Sequence, residues 1–357
     1  MNKPTIIIDD KIPYIKGVFE AHAKVQYVPG KEMDALCVQK ADALVVRTRT
    51  RCDEQLLRNS SVKCILTATI GYDHIDTNYC EKHNIYWKNA EGCNALAVQQ
   101  YVASAMAAIA QKNGKNMRDF TAGVVGVGHV GSTIVDFCRT QNISVLLNDP
   151  FKERTDKHNN YVSLQEICER CDVITFHTPL TYNGEFPTYH IANIKLLQSL
   201  KRKPLLINAA RGEVFDTQAV IEARKQNLCS ALVVDCWENE PNINRGLLAL
   251  TDIATPHIAG YSADGKANAT MACIKELVRF FGFDMKVPPY PTLPEPENKH
   301  PECDNLADFL LAVYDIKNDS DALKKSPEDF EKMRGNYHLR RDYCAYDGEY
   351  ANMISGK

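Results

Sequence analysis

The stretch A-G-V-V-G-V-G-H-V-G, from Ala122 to Gly131, decides the fold of this chain. Its apolar start predicts a β-strand, the glycines Gly126 and Gly128 follow, and the periodic apolar pattern of Val130–Thr140 predicts a helix. The first glycine permits a tight turn, the second lets a pyrophosphate approach the backbone, and the third, Gly131, lets the helix pack close to the strand. The stretch therefore predicts a dinucleotide-binding turn between a strand and a helix.

An acidic residue provides the second test of a dinucleotide site. Asp149 follows the predicted strand Ser144–Asn148 and stands eighteen positions after the last glycine of the motif. A carboxylate there accepts hydrogen bonds from ribose hydroxyls and repels a 2′-phosphate, while the N–H groups of His129 and Val130 bind phosphate oxygens. The pattern favours NAD over NADP as the cofactor. The alternative role of Asp149 is that of a turn residue.

Short apolar runs alternate with amphipathic stretches on both sides of this motif, which is typical of a parallel sheet covered on both faces. The strands predicted after the motif are Ser144–Asn148, Asp172–His177, Pro204–Asn208, Ala231–Asp235 and Ile253–Thr255. The helices predicted between them are Leu164–Arg170, Ile191–Ser199 and Thr217–Gln226. The N-terminal part repeats the rhythm with Thr5–Ile8, Val25–Val28, Ala43–Arg47, Cys64–Thr67 and Ile85–Trp87.

The α/β pattern divides the chain into three predicted domains: a doubly wound nucleotide-binding domain of residues 96–257, a smaller one of 1–95 with 258–285, and a tail of 286–357. The helix predicted for Asp264–Phe281 is too short to be a domain, so we expect it to pack on the N-terminal part. Six of the sixteen prolines lie within residues 288–301, which predicts a stiff linker. The tail beyond it has helical apolar spacing but too few apolar residues for a core of its own, so it must dock on something.

Composition excludes several classes of protein. The 357 residues carry a net charge of −3, which argues against a chain that coats nucleic acid or an anionic membrane. The longest apolar stretch, Tyr101–Ala110, is about half of the roughly 20 residues that span a bilayer. With no export signal recognisable, we expect a cytoplasmic protein with reduced thiols. Cys168 and Cys171 form an isolated C-x-x-C, so we predict no metal site.

Polar residues follow several predicted strands of the central sheet. Because the carboxyl ends of parallel strands line one crevice, we expect Arg211, Asp235, Glu240 and His257 to converge there. A histidine that titrates near neutral pH can take a hydroxyl proton, a carboxylate beside it fixes its tautomer, and an arginine can bind a substrate carboxylate through two hydrogen bonds. Together they indicate hydride transfer from a 2-hydroxy acid to NAD.

Each of these residues has a structural alternative when it is taken alone. A histidine at a strand end is often structural, an arginine in a turn is usually a solvated or paired charge, and Glu240 before Pro241 can simply end a strand. The functional interpretation depends on their occurring together at the ends of one NAD-binding sheet.

Residues 1–282 resemble the D-isomer-specific 2-hydroxyacid dehydrogenase family. The resemblance rests on five motifs: G-V-G-H-V-G at 126–131, H-T-P-L at 177–180, I-N-A-A-R-G at 207–212, V-D-C-W-E-N-E-P at 234–241 and T-P-H-I-A-G-Y at 255–261. It implies a Rossmann NAD-binding domain with a smaller flavodoxin-like α/β substrate domain. It also implies that Arg211, Glu240 and His257 form the catalytic triad.

The family resemblance assigns further residues. Asp235 corresponds to the contact with the nicotinamide carboxamide. The remaining implied cofactor residues are Thr178, Ala209, Ala210, Arg211 and Gly260, and the implied substrate residues are Arg47, Thr48, Thr69 and Tyr261. Thr48 departs from the serine that the family pattern has at that position.

The tail motifs V-Y-D-I-K-N-D-S-D-A-L and F-E-K-M-R-G-N-Y-H-L-R-R-D-Y narrow the resemblance to one branch of the family. That branch carries a C-terminal α+β dimerisation domain and oxidises 4-phosphoerythronate in vitamin B6 synthesis, which implies a homodimer and a phosphorylated 2-hydroxy acid as substrate. Substrates of the 3-phosphoglycerate or glycerate type, and a non-enzymatic corepressor that binds NAD, are the alternatives.

The sequence leaves open which basic residues hold the substrate phosphate. Arg47, Arg49 and Arg51 alternate along an extended segment and therefore face one side of it, although such a run is equally typical of a solvated loop edge. Arg340 and Arg341 in the tail offer a second possibility, in which they reach the site of a partner subunit.

Overall fold

The computed structural model describes residues 3–356, which divide into two units. The first unit contains residues 3–94 and 262–294, and the second contains residues 95–261 and 295–356. Each unit is built around one parallel sheet, which confirms the α/β fold predicted from the sequence.

The first unit contains five parallel strands: β1 (Thr5–Asp9), β2 (Lys24–Val28), β3 (Ala43–Val46), β4 (Cys64–Thr67) and β5 (Tyr86–Asn89). Their order, β2-β1-β3-β4-β5, is that of flavodoxin-like folds. Because side chains alternate along a strand, Ile6 and Ile8 enter the core on one face and Ile7 enters the core on the other.

Helices cover both faces of this sheet. The short ones are Ala35–Val38, Glu54–Leu57 and Thr77–Lys82, each begun by an aspartate whose side chain accepts a backbone N–H of the first turn. The long helix Ala263–Phe281 packs Ile274 and Leu277 into the core that contains Ile6 and Ile8. It ends at Gly282, whose φ of 61° suits the left-handed conformation of a C-terminal cap.

The second unit contains six parallel strands: β6 (Thr121–Val125), β7 (Ser144–Asn148), β8 (Val173–Phe176), β9 (Leu205–Asn208), β10 (Ala231–Val234) and β11 (Ile253–Ala254). Their order is β11-β10-β9-β8-β6-β7, and an isolated bridge from Tyr161 to Leu147 extends the edge beyond β7. The chain first builds outward from β6 through β7 and then returns to β8 on the other side. The topological switch point therefore lies between β6 and β8.

Helices enclose this sheet as well: Ala95–Lys112, His129–Thr140, Pro150–Thr155, Leu164–Arg170, Ile194–Gln198, Thr217–Lys225 and Arg245–Leu250. Short 3₁₀ turns occur in both units, at Gly30–Glu32, Met117–Asp119, Gly212–Val214, Pro327–Asp329 and Tyr343–Ala345. The helices predicted from periodicity are observed within about three residues of their expected ends. The short helices Pro150–Thr155 and Arg245–Leu250 were not predicted, because six residues are too few to show a helical period.

The tail forms four helices: Leu306–Val313, Ile316–Lys325, Phe330–Gly335 and Glu349–Ser355. Its apolar side chains join the cores of the second sheet, since Phe309 and Leu310 pack with Tyr101 while Leu323 and Phe330 belong to the core on the other face. Ser320 Oγ accepts the N–H of Ala254 at 3.0 Å, so the tail also covers the edge strand β11.

The tail thus differs in two respects from the α+β domain that the sequence resemblance implies. It contains helices and no strand between residues 295 and 356, and these residues lie in the same unit as residues 95–261. The physical reason is the one that its composition indicates: too few apolar residues for a separate core. In the described part of the chain, 3–356, none of the helices combines the length and the apolar character that crossing a membrane requires.

Candidate active site

The glycine-rich turn after β6 has the geometry that its sequence predicts. Gly126 has a φ of +86°, and a Cβ there would lie 2.8 Å from the carbonyl oxygen of His177. A Cβ on Gly131 would lie 2.0 Å from the carbonyl oxygen of Gly126, so only glycine allows the helix to approach the turn this closely. A Cβ on Gly128 would meet no described atom within 4 Å, which leaves open space beside the backbone.

The start of helix His129–Thr140 fits the phosphates of a dinucleotide. Its N-cap residue is Gly128, which offers no side chain to the N–H groups of the first turn, the turn that contains His129 and Val130. Nearby, after β8, Thr178 Oγ1 is buried and has no hydrogen-bond partner within residues 3–356. A buried hydroxyl of this kind calls for a partner, and a bound cofactor would supply one. Both observations fit NAD.

Asp149 connects the end of β7 to the glycine-rich turn. Its Oδ2 accepts the N–H of Val127 at 3.0 Å, and its Oδ1 accepts the N–H of Lys152 at 3.0 Å as the N-cap of helix Pro150–Thr155. Asp149 is therefore a turn residue whose carboxylate also supports the glycine-rich turn. Each carboxylate oxygen has a second lone pair, so the ribose contact stays a prediction that this geometry permits.

The polar residues predicted at the strand ends lie at one edge of the second sheet. Ala209, Ala210 and Arg211 follow β9, Asp235 follows β10, and His257 comes three residues after β11. These three strands are neighbours in the sheet and run in the same direction. Gly260 and Tyr261 continue the segment after His257, and both are half-buried.

His257 and Glu240 form a hydrogen-bonded pair. His257 Nδ1 lies 2.8 Å from Glu240 Oε2 and 3.1 Å from Oε1, and about a third of the histidine side chain is exposed. An ionised carboxylate accepts a hydrogen bond from Nδ1–H, which leaves Nε2 as the basic nitrogen. His257 also has a φ of 56°, an uncommon conformation for a non-glycine residue that tends to occur at functional sites.

Glu240 is held ionised by its surroundings. Burial by itself raises the pKa of this carboxyl, but the charge and hydrogen bond of His257, the N–H of Trp237 and the charge of Arg334 outweigh it, so that the pKa is lowered. The Trp237 N–H donates to Oε1 at 2.9 Å, and Arg334 Nη1 lies 3.9 Å from Oε2. Arg334 is not among the site residues predicted from the sequence, and its occurrence in the tail motif F-E-K-M-R-G was the one available signal.

Asp235 is fully buried and organises the segment that carries His257. Its Oδ1 accepts the hydroxyl of Thr255 at 2.6 Å and the N–H of Ile258 at 2.8 Å, and its Oδ2 accepts the N–H of Ala259 at 3.0 Å. Burial raises the pKa of this carboxyl, although His257 and these donors oppose the rise. The predicted nicotinamide contact of Asp235 stays a prediction, and the observed contacts are structural.

Arg211 lies directly after β9 and is half-buried. Its Nη1 donates to the carbonyl oxygen of Ala210 at 2.8 Å, which anchors the guanidinium at the strand end. Asn208 supports the same turn, because its side-chain amide donates to the carbonyl oxygen of Arg211 at 2.9 Å. A planar guanidinium matches the geometry of a carboxylate in two-point fashion, so the substrate contact of Arg211 stays a prediction.

The sequence leaves open that Arg340 reaches the active site of a partner subunit. In the structure Arg340 is buried within its own unit. It donates to the carbonyl oxygens of Ala97 at 3.0 Å and Ile258 at 3.2 Å, to the carbonyl oxygen of Ala259, and to Gln100 Oε1 at 2.7 Å. These contacts use Arg340 to hold the segment after His257.

The substrate residues predicted in the first unit follow β3 and β4. Arg47 Nη2 lies 2.8 Å from Oδ1 of the buried Asp9, Thr48 is exposed, and Thr69 Oγ1 donates to the carbonyl oxygen of Gly71 at 2.8 Å. Arg51 is largely exposed and pairs with Asp53 at 2.9 Å, as expected for a solvated loop edge. The substrate contacts of Arg47, Thr48 and Thr69 stay predictions.

A possible metal site coincides with the histidine–glutamate pair. One ligand atom from each of Cys236, Glu240 and His257 lies within 4.8 Å of the others. His257 Nδ1 and the carboxylate are already bonded to each other, and burial raises the pKa of the Cys236 thiol well above its usual range. A thiol must lose its proton to bind a metal, so this set suits proton transfer better than metal binding.

The curated relatives that match nearly the whole chain include three erythronate-4-phosphate dehydrogenases from different organisms. The protein from Bacteroides fragilis is 48% identical over 96% of this chain and 98% of its own length. The protein from Porphyromonas gingivalis is 39% identical over 96% of this chain and 94% of its own length. The protein from Escherichia coli is 37% identical over 95% of this chain and 92% of its own length.

Solved structures with the same fold cover a smaller share of the chain. D-lactate dehydrogenase from Aquifex aeolicus, complexed with NAD and lactic acid, has a TM-score of 0.64 at 23% identity over 78% of this chain and 95% of its own. NAD-bound 3-phosphoglycerate dehydrogenase from Entamoeba histolytica has a TM-score of 0.67 at 24% identity over 78% of this chain and 96% of its own. At this level of identity the two structures establish the fold.

A family profile agrees with these comparisons. The NAD binding domain of D-isomer specific 2-hydroxyacid dehydrogenases matches residues 94–259, which contain the glycine-rich turn and the His257–Glu240 pair. Together with relatives of 37–48% identity over nearly the full chain, this match establishes an NAD-dependent oxidoreductase. The chain belongs to the D-isomer-specific 2-hydroxyacid dehydrogenases, in the family of the erythronate-4-phosphate dehydrogenases.

Proposed function

We propose that this enzyme oxidises 4-phospho-D-erythronate at C2 to (R)-3-hydroxy-2-oxo-4-phosphobutanoate, a step of pyridoxine biosynthesis. The relatives that cover nearly the full chain, including its tail, support this substrate. The observation that carries the chemistry is the hydrogen bond between His257 Nδ1 and Glu240, because it leaves Nε2 of the histidine as a base at the edge of the NAD-binding sheet.

The proposed reaction breaks two bonds of the substrate. The C2 hydroxyl gives its proton to His257 Nε2, the C2–O bond becomes a carbonyl, and the C2–H bond breaks with its electron pair. Bound NAD supplies the hydride acceptor. Glu240 stabilises the imidazolium that results, since its carboxylate is ionised and 2.8 Å from Nδ1.

Arg211 is the proposed partner of the C1 carboxylate and the C2 oxygen. Its anchoring to the Ala210 carbonyl places a fixed cation at the end of β9, beside the strand whose end carries Asp235. A two-point contact with the carboxylate orients C2, and a cation near the C2 oxygen stabilises the negative charge that develops there as the proton leaves.

A substrate panel tests the assignment. Initial rates of NADH formation are measured for 4-phosphoerythronate, 3-phosphoglycerate, D-glycerate and D-lactate at equal ionic strength. We expect kcat/KM to be highest for 4-phosphoerythronate, by about tenfold or more, because a site built for a phosphate loses its contacts when the group is missing or displaced. A higher kcat/KM for any other acid of the panel would refute the substrate.

We also propose a cytoplasmic homodimer. The resemblance of the tail to a dimerisation domain supports the dimer, and thirteen free cysteines, nine of them buried, support a reducing compartment. Removing the tail is a poor test, because Phe309, Leu323 and Phe330 complete the cores of the NAD-binding unit. Sedimentation equilibrium of the full chain measures the mass directly, and a monomer at micromolar concentration would contradict the proposal.

A further inference from the structure

We propose that Arg334, on the C-terminal tail, is a positioning residue for the oxidation: its guanidinium keeps Glu240 ionised and Nε2 of His257 free of a proton, so that the histidine can act as a base. This inference rests on the proposed function, in which His257 takes the hydroxyl proton of the substrate. It assigns to the tail a part in the reaction in addition to its place in the fold.

The position of Arg334 carries the inference. The residue belongs to the short helix Phe330–Gly335, only 15% of its side chain is exposed, and Nη1 lies between Glu331 Oε1 at 3.1 Å and Glu240 Oε2 at 3.9 Å. Its Nε is buried without a partner in residues 3–356, and its guanidinium lies over the ring of Phe330. A buried cation so close to a carboxylate acts through a low dielectric and is screened little by salt.

Such a cation favours the protonation state of the pair that oxidation uses. An ionised Glu240 beside the imidazole favours the protonated histidine, which cannot accept a further proton. The positive charge of Arg334 favours the ionised carboxylate and opposes a second positive charge on His257. The two effects together keep the pair in the state with one proton on Nδ1 and none on Nε2.

Other charged and titratable groups surround the His257–Glu240 pair. They are the same in the wild type and in the Arg334 variants, so a difference between the pH profiles reports the effect of Arg334. They come from the ends of β9 and β10, from the segment after His257 and from the tail helix: Arg211, Asp235, Cys236, Tyr261 and Glu331. Glu331 shares the guanidinium with Glu240, so its charge weakens the influence of Arg334.

The test is the pH profile of kcat/KM for 4-phosphoerythronate, at saturating NAD, from pH 5.5 to 9.5. In Arg334→Met the acid limb should move to higher pH by about half a unit to one unit, because His257 is then protonated at a higher pH. On the sloping part of the acid limb this corresponds to a loss of roughly three- to tenfold, and the profiles should converge near pH 9. Arg334→Lys keeps the positive charge, so its acid limb should lie within about 0.2 pH unit of that of the wild type.

Lys332→Met is the matched control. It removes a positive charge from the same helix, but Lys332 is largely exposed and pairs with Asp329, so its profile should coincide with that of the wild type. A uniform loss of activity in Arg334→Met with an unmoved acid limb would show a purely structural role and overturn the proposal. An equal shift in Lys332→Met would overturn it too, since the effect would then be that of net charge.

A further variant keeps the proposal testable if Arg334→Met fails to fold. Glu331→Gln removes the acid that shares the guanidinium, so the acid limb should move to lower pH, and an unmoved or raised limb contradicts the proposal. The substrate panel separates the two hypotheses. If another 2-hydroxy acid is the best substrate, the substrate assignment fails, and the Arg334 comparison is made with that acid.

Discussion

Asp235 and Arg340 hold the same two residues, Ile258 and Ala259. The Asp235 carboxylate accepts both of their N–H groups, and the Arg340 guanidinium donates to both of their carbonyl oxygens. Asp235 belongs to the end of β10, whereas Arg340 comes from the tail, 105 positions further along the chain. The segment that follows the proposed base is therefore fixed by the sheet and by the tail together.

Arg340→Met should destabilise the protein strongly. Its loss leaves the buried carbonyl oxygens of Ala97, Ile258 and Ala259 without these donors, so we expect the free energy of unfolding to fall by about 3–5 kcal/mol. Urea unfolding followed by fluorescence measures the change. Lys332→Met, at an exposed position of the same tail, is the control. A fall below about 1 kcal/mol would show that the guanidinium contributes little to stability.

His257→Gln tests the proposed base and separates an enzyme from a protein that only binds NAD. Glutamine can still contact Glu240 but cannot accept a proton, so kcat should fall by about 10² to 10⁴-fold. Affinity for NADH, measured by fluorescence titration, should change by less than about threefold, because the glycine-rich turn is untouched. A variant that keeps its wild-type kcat would exclude His257 as the base.

Gly128→Ala should weaken NAD binding without weakening the fold. A Cβ there meets no described atom, and the φ of −72° suits alanine, so the melting temperature should stay within about 2 °C of the wild type. The methyl group would occupy the space beside the backbone that a pyrophosphate needs, and Kd should rise about tenfold or more. Gly335→Ala, at an equally open position on the tail, is the control for Kd.

Gly131→Ala should, in contrast to Gly128→Ala, weaken the fold. Its Cβ would lie 2.0 Å from the carbonyl oxygen of Gly126, so the helix must move away from the turn and the melting temperature should drop clearly. Thermal unfolding in the absence of NAD measures this change. If Gly131→Ala melted with the wild type while Gly128→Ala did not, the assigned roles of the two glycines would be reversed.

Asp149→Asn should reduce the preference for NAD over NADP. The amide has nearly the shape of the carboxylate but carries no charge to repel a 2′-phosphate, so the ratio of kcat/KM for NAD to that for NADP should fall about tenfold. Some loss of stability, about 1 kcal/mol, is expected as well, since one of the N–H groups of Val127 and Lys152 loses its acceptor. An unchanged ratio would limit Asp149 to its structural role.

Thiol reactivity should follow burial. Nine of the thirteen cysteines are buried, and burial raises the pKa of Cys52 and Cys138 to about 12, so almost none of their reactive thiolate form exists at pH 8. We expect at most four thiols, with the exposed Cys344 the fastest, to react with Ellman's reagent in the native protein. All thirteen should react in guanidinium chloride. More than four fast thiols would indicate a looser packing than the structure has.

The strand ends show how much of the site the sequence could predict. Arg211, Asp235 and His257 each follow a short buried run, and parallel strands bring such positions to one edge whatever the details of packing. Periodicity and turn chemistry are local properties, so they are readable along the chain. The sequence could not indicate that both oxygens of Asp235 are taken by Thr255, Ile258 and Ala259, because those bonds depend on the path of one loop.

The sequence by itself determined the nucleotide fold, because glycines at the turn and alternating apolar runs leave few other ways to bury the strands. Only the tertiary structure decided the role of the tail. Helical apolar spacing shows that a helix has a buried face, but it does not show which surface covers that face. The location of Arg334 beside Glu240, and of Arg340 behind Ile258, follows from long-range packing that no local pattern encodes.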